Sequence, residues 1–471
     1  MKSNRRKFLK LSSLTGIMVA GGHFTAASAS EAGKHVGFEK NKGGIFNMCG
    51  YGAPKLENVR IGFIGLGNRG PSAMIRTSKI EGVEIKALCD IRPEKANGAK
   101  KKLLESTKTF NPDVYSGGEN EWKKVCERND VDLIYITTPW HLHTPMAVYA
   151  MQHGKHVATE VPAAVTVEEC WQLVNTSEKT KKHCIILENC CYDFFELLTL
   201  NMARQGLFGE IVHGEGAYIH TLLEDNFSKD KYYDMWRLKE NFRNGNLYPT
   251  HGLGPVAQVM NINRGDKMDY LVAMSCNDFL MGPMAKELAS KDDFYKQFAN
   301  KNYRGNMNTT TIRTSKGRTI MLQHDVSSPN IYSRIHKISG TKGSALKYPL
   351  PGKLAFGHKD WINAEEYKSL EEKYAPPIVR KIGEMAKQVG GHGGMDFLMD
   401  WRMIDCLRNG IAPDMDVYDA AAWSAIGPVS EKSLANRSNS IDIPDFTDGA
   451  WKTNKPVDVM MQQGGNTKVI G

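Results

Sequence analysis

Hydrophobic and polar positions follow two different patterns along the chain. Between residues 59 and 187, short apolar runs alternate with segments of helical periodicity. The apolar runs predict strands at 59–64, 83–89, 131–136, 156–160 and 184–187. The segments between them predict helices from Pro71 onward, at 144–153 and at 165–181. Strands that alternate with helices in this way predict a doubly wound parallel sheet.

Beyond residue 190 the apolar runs become longer and alternate with polar residues. Strands are expected at 211–218, 269–274, 308–314, 318–325 and 334–339. Alternation of this kind favours an open, mostly antiparallel sheet with one covered face. Helical periodicity returns at 364–389, 397–407 and 417–426, and the first two of these helices are separated by the glycine-rich loop 390–394.

A glycine-rich loop directly follows the first predicted strand. Gly65, Gly67 and Gly70 have the spacing of a Gly-x-Gly-x-x-Gly turn, and Pro71 then opens a helix. Such glycines let the backbone approach a pyrophosphate at the helix N-terminus. Asp90 lies twenty residues after Gly70, where a carboxylate accepts hydrogen bonds from a ribose 2′-hydroxyl and repels a 2′-phosphate. The pattern predicts a Rossmann domain that prefers NAD, although Arg92 nearby leaves NADP open.

Polar residues also follow the later strands. Each of three apolar runs is followed by such residues: Thr138-Pro139-Trp140-His141, Glu160-Val161-Pro162 and Asn189. Because the carboxyl ends of parallel strands share one edge of the sheet, these residues are expected beside the cofactor.

The first thirty residues have a different composition. A basic stretch that includes Arg5 and Arg6 precedes the apolar run 11–22, and Ala27-Ser28-Ala29 then provides a small-residue cleavage site. This layout predicts a secretory signal, and the paired arginines favour the twin-arginine route to the periplasm. The predicted divisions are a signal peptide at 1–29, a linker at 30–57, the Rossmann domain at 58–190 and a substrate-binding α/β domain at 191–471.

Composition excludes several other functions. The net charge of +9 falls to +4 once the chain is cut after Ala29, and no basic stripe suggests nucleic acid. The nine cysteines are odd in number and form no Cys-x-x-Cys pair, so neither a disulfide framework nor a metal site is expected. No stable membrane insertion is expected after signal cleavage, and the open sheet makes a homo-oligomer plausible.

Five segments together resemble glycoside hydrolase family 109, within the superfamily of glucose–fructose oxidoreductase and inositol dehydrogenase. They are residues 66–70, 138–141, 160–162, 248–255 and 390–396, and the segment Tyr-Pro-Thr-His-Gly-Leu-Gly-Pro at 248–255 is the most specific. In typical dehydrogenases of this superfamily a lysine that assists proton transfer stands at the position of Val161. That departure argues against ordinary alcohol dehydrogenation.

The resemblance implies an α-N-acetylgalactosaminidase with tightly held NAD⁺. With the loop glycines, the cofactor-binding set becomes Gly65, Gly67, Asn68, Arg69, Gly70, Asp90, Thr138, Trp140, His141, Glu160, Val161 and Asn189. The implied sugar-binding set is Tyr192, Tyr218, Arg237, Tyr248, His251 and Tyr332, and His251 and Tyr332 are the acid–base candidates. A histidine suits such a role because imidazole titrates near neutral pH.

The implied reaction is oxidation of the sugar, elimination, addition of water and reduction, with no net change in the cofactor. NAD-dependent glycosidases are a recognised exception to two-carboxylate catalysis. An exported NAD(P)-dependent sugar dehydrogenase and a non-catalytic Rossmann protein remain alternatives. His392, within Gly390–Gly394, is either a catalytic histidine on a lid or part of a structural loop.

Overall fold

The first sheet consists of six parallel strands built from the N-terminal half of the chain. The computed structural model describes residues 46–107, 109–357 and 360–470, which lie within one compact unit, Lys40–Gly471. The strands are β1 (Val59–Ile64), β2 (Val83–Asp90), β3 (Asp113–Ser116), β4 (Leu133–Ile136), β5 (His156–Thr159) and β6 (Cys184–Ile186). Their order, β3-β2-β1-β4-β5-β6, confirms the predicted doubly wound Rossmann topology.

Helices connect these strands and cover the sheet. They are α1 (Gly70–Thr77), α2 (Pro93–Ser106), α3 (Glu121–Cys126), α4 (His143–Gln152) and α5 (Val167–Thr180). Helix α5 begins with a capping box, in which the Thr166 side chain accepts from the Glu169 N–H and the Glu169 side chain accepts in return. The predicted cofactor loop is therefore held between a buried strand and a helix N-terminus.

The second sheet has eight strands and is mostly antiparallel, as the sequence predicted. Its strands are β7 (Ile211–Ile219), β8 (Met268–Ser275), β9 (Asn308–Thr314), β10 (Thr319–Asp325), β11 (Lys337–Gly340), β12 (Gly343–Leu346), β13 (Lys353–Phe356) and β14 (Ile441–Asp442). The order is β13-β12-β11-β7-β10-β9-β8-β14, in which β7 and β10 form the parallel pair.

The remaining helices connect the second sheet back to the first. They are α6 (Phe194–Arg204), α7 (Leu223–Phe227), α8 (Trp236–Glu240), α9 (Thr250–Val259), α10 (Met281–Lys291), α11 (Ala364–Tyr374), α12 (Pro377–Val389), α13 (Met395–Asn409) and α14 (Val417–Ala435). Helix α13 packs against α1 and β1, and α14 packs against α5, with Trp401 and Trp423 fully buried. The last helices thus fix the cofactor domain against the rest of the chain.

Two predicted elements were wrong in detail. The strand expected at 334–339 begins only at Lys337, because Ile335 and His336 adopt positive φ angles of 59° and 45°. The single helix expected at 364–389 is two helices, because a proline at 376 has no N–H and disfavours the helical conformation of the residue before it.

Three further predictions concern the N-terminal segment, the cysteines and membrane crossing. The signal and cleavage site lie outside the described residues, whereas residues 46–57 of the predicted linker pack on the fold, with Met48 buried. All nine cysteines lie in the described part and are free thiols. Within the described residues, no helix combines the length and apolarity that a membrane crossing needs.

Candidate active site

The glycine-rich loop has the geometry that a bound pyrophosphate requires. Gly65 adopts a φ of +92°, and a Cβ there would lie 2.7 Å from the Thr137 carbonyl carbon. A Cβ on Gly70 would lie 2.1 Å from the Gly65 carbonyl oxygen, so these two glycines permit the tight turn. A Cβ on Gly67 would meet only the Arg92 guanidinium, at 3.3 Å. The loop backbone at Gly67 is therefore open to a ligand, which fits the implied cofactor.

Asp90 ends β2 beside this loop. Its carboxylate accepts the Leu66 N–H at 2.7 Å, the Arg92 N–H at 2.9 Å and the Arg92 Nε–H at 3.3 Å. The Arg92 guanidinium also lies 5.1 Å from the Tyr233 ring centre. Arg92 is thus already engaged, and the carboxylate at the loop favours NAD over NADP.

A network of charged and polar side chains joins the loop to the other strand ends. Arg69 donates to Glu160 at 3.0 Å and to Asp396 at 3.4 Å, and Asn189 donates to Asp396 at 2.5 Å. His392 Nδ1 lies 2.9 Å from the same Asp396 carboxylate, whose side chain is 1% exposed. Arg69 and Asn189, which the sequence predicted for the cofactor site, therefore both bond to one C-terminal aspartate, and Arg69 links it to Glu160.

The charges of its partners govern the pKa of Asp396. Burial alone would raise this pKa, but the His392 hydrogen bond and the Arg69 and Arg76 charges hold it well below its ordinary value. The network continues from Arg76 to Asp400 at 2.9 Å and from the Tyr135 hydroxyl to Asp400 at 2.8 Å. Burial raises the pKa of Asp400 to about 6. These contacts attach helix α13 to α1 and β4 of the cofactor domain.

An aromatic pocket lies beside this network. It is formed by Trp140, Tyr218, Trp236, Arg237 and Tyr248. Trp140 stacks on Tyr248 with ring centres 5.5 Å apart, and Tyr218 lies 4.6 Å from Tyr248. The Arg237 guanidinium lies over both Trp140 and Tyr248, at 5.5 and 5.7 Å. Apolar ring faces with a cationic donor suit the recognition of a sugar ring and its hydroxyls.

His251 forms the inner wall of the aromatic pocket. Its ring lies 5.4 Å from that of Tyr218 and 4.8 Å from that of Tyr248, in both cases edge to face. Nδ1 lies 2.8 and 3.0 Å from the two carboxylate oxygens of Glu188, a fully buried residue just beyond β6. Burial alone would raise the pKa of Glu188, but hydrogen bonds from His251 and the Cys190 N–H lower it. The site therefore contains a histidine–carboxylate pair beside the aromatic rings of Tyr218 and Tyr248.

Glycines in the segment 248–255 let helix α9 approach its neighbours closely. A Cβ on Gly252 would lie 2.3 Å from the Ala217 nitrogen of β7, and a Cβ on Gly216 would lie 2.3 Å from the Gly252 oxygen. A Cβ on Gly254 would lie 2.8 Å from Glu188 Cγ. These contacts bring His251 within hydrogen-bonding distance of Glu188.

Replacement of Gly252 by alanine is expected to separate α9 from β7. The new Cβ would overlap backbone that cannot rotate away, at a cost of about 1–3 kcal/mol in the free energy of unfolding. The control is Gly98→Ala in α2, where a Cβ meets nothing within 4 Å and should gain about 0.5–1 kcal/mol. Denaturant unfolding checks both values, and an equally stable Gly252→Ala protein would contradict the close-packing account.

Tyr332 and His220 form the outer wall. The Tyr332 ring lies 5.1 Å from the His220 ring and 6.4 Å from the Tyr218 ring, and the residue is 37% exposed. The Tyr218 hydroxyl lies 2.9 Å from His220 Nδ1. Burial lowers the pKa of His220, and Arg237, His251 and His392 lower it further. The structure thus brings Tyr332 to the pocket that also contains Tyr218 and His251.

The structure places four other predicted residues at the margins. Asn68 is exposed and donates to the Lys231 carbonyl at 2.9 Å, and His141 is exposed, with Nδ1 4.0 Å from Glu240. The carbonyl of Thr138 lies 2.8 Å from His143 Nε2, and Val161 is buried.

Tyr192 lies in a different environment. It is buried, and its hydroxyl donates to Asp414 at 3.0 Å beside Arg402, in a small cavity lined also by Leu200 and Val459. Its sugar-binding role stays a prediction.

Glu188, Cys190 and His251 could in principle hold a metal ion. Their ligand atoms lie within 4.8 Å of one another. The Arg334 guanidinium, however, lies 2.9 Å from the Cys190 sulfur, and a cation at that distance opposes a bound metal. Within the described residues, this group therefore fits a hydrogen-bonded pair better than a metal centre.

Sequence reasoning missed Glu188, Asp396 and His220. Glu188 follows a buried strand at the same sheet edge as Glu160, so the rule that located Glu160 would have found it. Asp396 lies in the first turn of α13, and because residues 391–394 all have positive φ, no helical spacing indicated its contact with His392.

Comparison with known proteins first defines the class. Residues 59–187 match the oxidoreductase family with an NAD-binding Rossmann fold. Levoglucosan dehydrogenase in complex with NADH and levoglucosan has a TM-score of 0.61 at 17% identity, covering 82% of this chain and all of that one. An aldose-aldose oxidoreductase from Caulobacter crescentus has a TM-score of 0.59 at 17% identity, with the same coverage. These likenesses establish the fold, and the chain contains an NAD-binding Rossmann domain.

The second half of the chain identifies the family. Residues 192–453 match the C-terminal domain of glycosyl hydrolase 109. An alpha-N-acetylgalactosaminidase of Bacteroides fragilis is 51% identical over 413 residues, covering 86% of this chain and 96% of that protein. A glycosyl hydrolase family 109 protein of Solibacter usitatus is 45% identical over 460 residues, covering 97% of this chain and all of that protein. The chain belongs to glycosyl hydrolase family 109, as the sequence motifs predicted.

Proposed function

We propose that this protein hydrolyses terminal α-N-acetylgalactosaminides with bound NAD that is not consumed. The observation that carries the proposal is that the aromatic pocket and the cofactor residues share one sheet edge. Trp140 follows β4, Glu160 follows β5 and Glu188 follows β6, and they contact Tyr248, Arg69 and His251 respectively. A sugar in the pocket would therefore lie against the cofactor.

The residues present fit NAD. The Gly67 backbone would approach the pyrophosphate, Asp90 the adenosine ribose, and Glu160 and Asn189 the remainder of the cofactor. When bound, NAD⁺ supplies a reversible hydride acceptor for C3 of the sugar, which leaves a ketone beside C2. Valine stands at position 161, so the lysine that assists proton transfer in ordinary dehydrogenation is absent. Its absence supports a reaction in which the ketone is an intermediate and is not released as product.

The side chains of the pocket then carry out the elimination. A ketone at C3 acidifies the C2 proton, and His251 removes it through Nε2 while the C1–oxygen bond breaks. Water adds to C1 of the unsaturated ketone, and the proton returns to C2. Return of the hydride and a proton to the C3 carbonyl would then restore the C3 hydroxyl, so that no cofactor is consumed. Tyr332 and His392 are the candidates that protonate the departing oxygen, and Asp396 holds Nδ1 of His392, whose side chain is 55% exposed.

The proposal includes tight retention of the cofactor in the NAD⁺ form. Two contacts support it, because Asn68 bonds the Lys231 carbonyl and Arg92 lies against Tyr233. The segment before α8 thus lies on the glycine-rich loop and would enclose a ligand there.

Activity on nitrophenyl glycosides tests the assignment. Protein purified without added cofactor should release nitrophenol from the α-N-acetylgalactosaminide over many turnovers, and acid extraction should yield about one NAD per chain. The α-galactoside, which lacks the N-acetyl group, is the matched comparison and should react more slowly. Accumulation of reduced nicotinamide with a free sugar, without nitrophenol release, would instead favour the dehydrogenase alternative.

We also propose export to the periplasm by the twin-arginine route. That route moves folded proteins, so bound NAD would travel with the chain. The nine free thiols are consistent with folding in a reducing compartment. N-terminal sequencing of the secreted protein should find cleavage after Ala29, and an Arg5→Lys/Arg6→Lys variant should stay in the cytoplasm. Normal export of that variant would contradict the route.

A further inference from the structure

We infer that Glu188 is a positioning residue that fixes His251 in the tautomer and orientation needed to take a proton from the sugar. The inference rests on the proposed function, in which His251 is the base. It concerns a carboxylate that the family resemblance did not place in the site.

The geometry of the pair supports this role directly. Both oxygens of Glu188 lie within hydrogen-bonding distance of His251 Nδ1, at 2.8 and 3.0 Å. The Glu188 side chain is 0% exposed, whereas that of His251 is 14% exposed. The carboxylate therefore lies behind the ring, and Nε2 lies on the opposite side of the ring from Glu188.

The ionisation of Glu188 determines the tautomer of His251. An ionised carboxylate only accepts hydrogen bonds, so Nδ1 must carry the hydrogen and Nε2 keeps its lone pair. Burial alone would raise the pKa of Glu188, but the hydrogen bonds from His251 Nδ1 and the Cys190 N–H lower it, which keeps the carboxylate ionised at neutral pH. When Nε2 takes the proton, the resulting imidazolium remains beside a negative charge, which stabilises it.

Neighbouring backbone fixes Glu188 itself. The Cys190 N–H donates to Glu188 Oε1 at 3.1 Å, and helix α9 approaches so closely that a Cβ on Gly254 would lie 2.8 Å from Glu188 Cγ. A side chain fixed in this way transmits its orientation to the imidazole. The edges of Tyr218 and Tyr248 restrict the same ring from the other sides.

The test compares the Glu188→Gln variant with wild type by NMR and by kinetics. Glutamine keeps the shape but can donate or accept, so it no longer specifies the tautomer. In full-length protein with ¹⁵N-labelled histidine, wild-type His251 should show the Nδ1–H form, identified by the signal that the His251→Gln variant lacks. The Glu188→Gln variant should show a mixed or reversed tautomer. Its kcat should fall by about 10²- to 10⁴-fold, with KM changed less than about threefold.

The control is Glu178→Gln, which also removes a buried carboxylate but one bonded to the Tyr418 hydroxyl. It should leave the His251 signal and kcat unchanged. An Nε2–H tautomer in wild type would overturn the inference even if Glu188→Gln failed to fold, and so would an unchanged kcat in a folded Glu188→Gln protein. Stoichiometric metal in the purified protein would also overturn it, because Glu188 would then be a ligand.

The two proposals fail in different ways. If wild type hydrolyses no glycoside, the proposed function fails, whereas the NMR signal still reports whether Glu188 fixes the ring. If hydrolysis proceeds and Glu188→Gln leaves both the tautomer and kcat unchanged, only the positioning role fails.

Discussion

The His251→Gln variant is expected to lose about 10²- to 10⁴-fold in kcat while it keeps its fold and its bound NAD. Removal of a positioned general base costs this much because the proton must then pass to water. The ring borders Tyr218 and Tyr248 in the aromatic pocket, whereas the cofactor residues Arg69 and Asn189 bond to Asp396 instead. Cofactor retention should therefore survive the change.

Nitrophenol release and extracted NAD, measured on the same preparation, check this prediction. The matched control is His213→Gln on β7, where the imidazole contacts Thr319 and Glu215 rather than the aromatic pocket. That variant should keep wild-type kcat. A His251→Gln protein that turns over within about threefold of wild type would remove His251 from the base role.

The largest expected effect on stability comes from Asp396→Ala. This change leaves Arg76, whose side chain is 5% exposed, without one of its two carboxylates. It also removes the acceptor of the Asn189 amide and one of the two carboxylates of Arg69. Breaking a buried charge pair on one side costs about 3–5 kcal/mol. We expect a loss of this size in the free energy of unfolding, together with loss of NAD during purification.

Denaturant unfolding and acid extraction of NAD measure the two effects. The control is Glu384→Ala, which removes an exposed carboxylate paired with Lys387 and should change stability by less than about 0.5 kcal/mol. If Asp396→Ala were nearly as stable as the control and kept its cofactor, the buried network would not be what joins α13 to the cofactor loop.

Local sequence signals predicted the arrangement of the glycine-rich loop and Asp90. The glycine spacing, the strand before it and Asp90 at the next strand end are all short-range features, and the structure keeps them together. The rule that polar residues at parallel strand ends share one edge also located Glu160 and Asn189. The loop and Asp90 belong to a single βαβ unit, and the rule for the later strand ends needs only that the strands are parallel.

Long-range contacts explain what the sequence did not reveal. Glu188 and His251 are 63 residues apart and meet only because α9 packs on β7 and the turn after β6. Likewise, the sequence pattern predicted that Arg334 lies in a strand, but it precedes the observed strand. Its guanidinium instead donates to Asp193 and Glu196. The next two residues have positive φ, so β11 starts at Lys337. Tertiary contacts of this kind override local pattern and leave no periodic trace.

The fate of the hydrogen at C2 of the sugar tests the central claim most directly. Protein carrying only its own NAD would be given nitrophenyl α-N-acetylgalactosaminide deuterated at C2, and nitrophenol, sugar label and nicotinamide absorbance would be followed together. The account predicts many turnovers per NAD without net reduced cofactor, and either a C2 isotope effect or replacement of the C2 deuterium by solvent hydrogen. Hydrolysis with the deuterium fully retained and no isotope effect, or one reduced cofactor for each product, would contradict it.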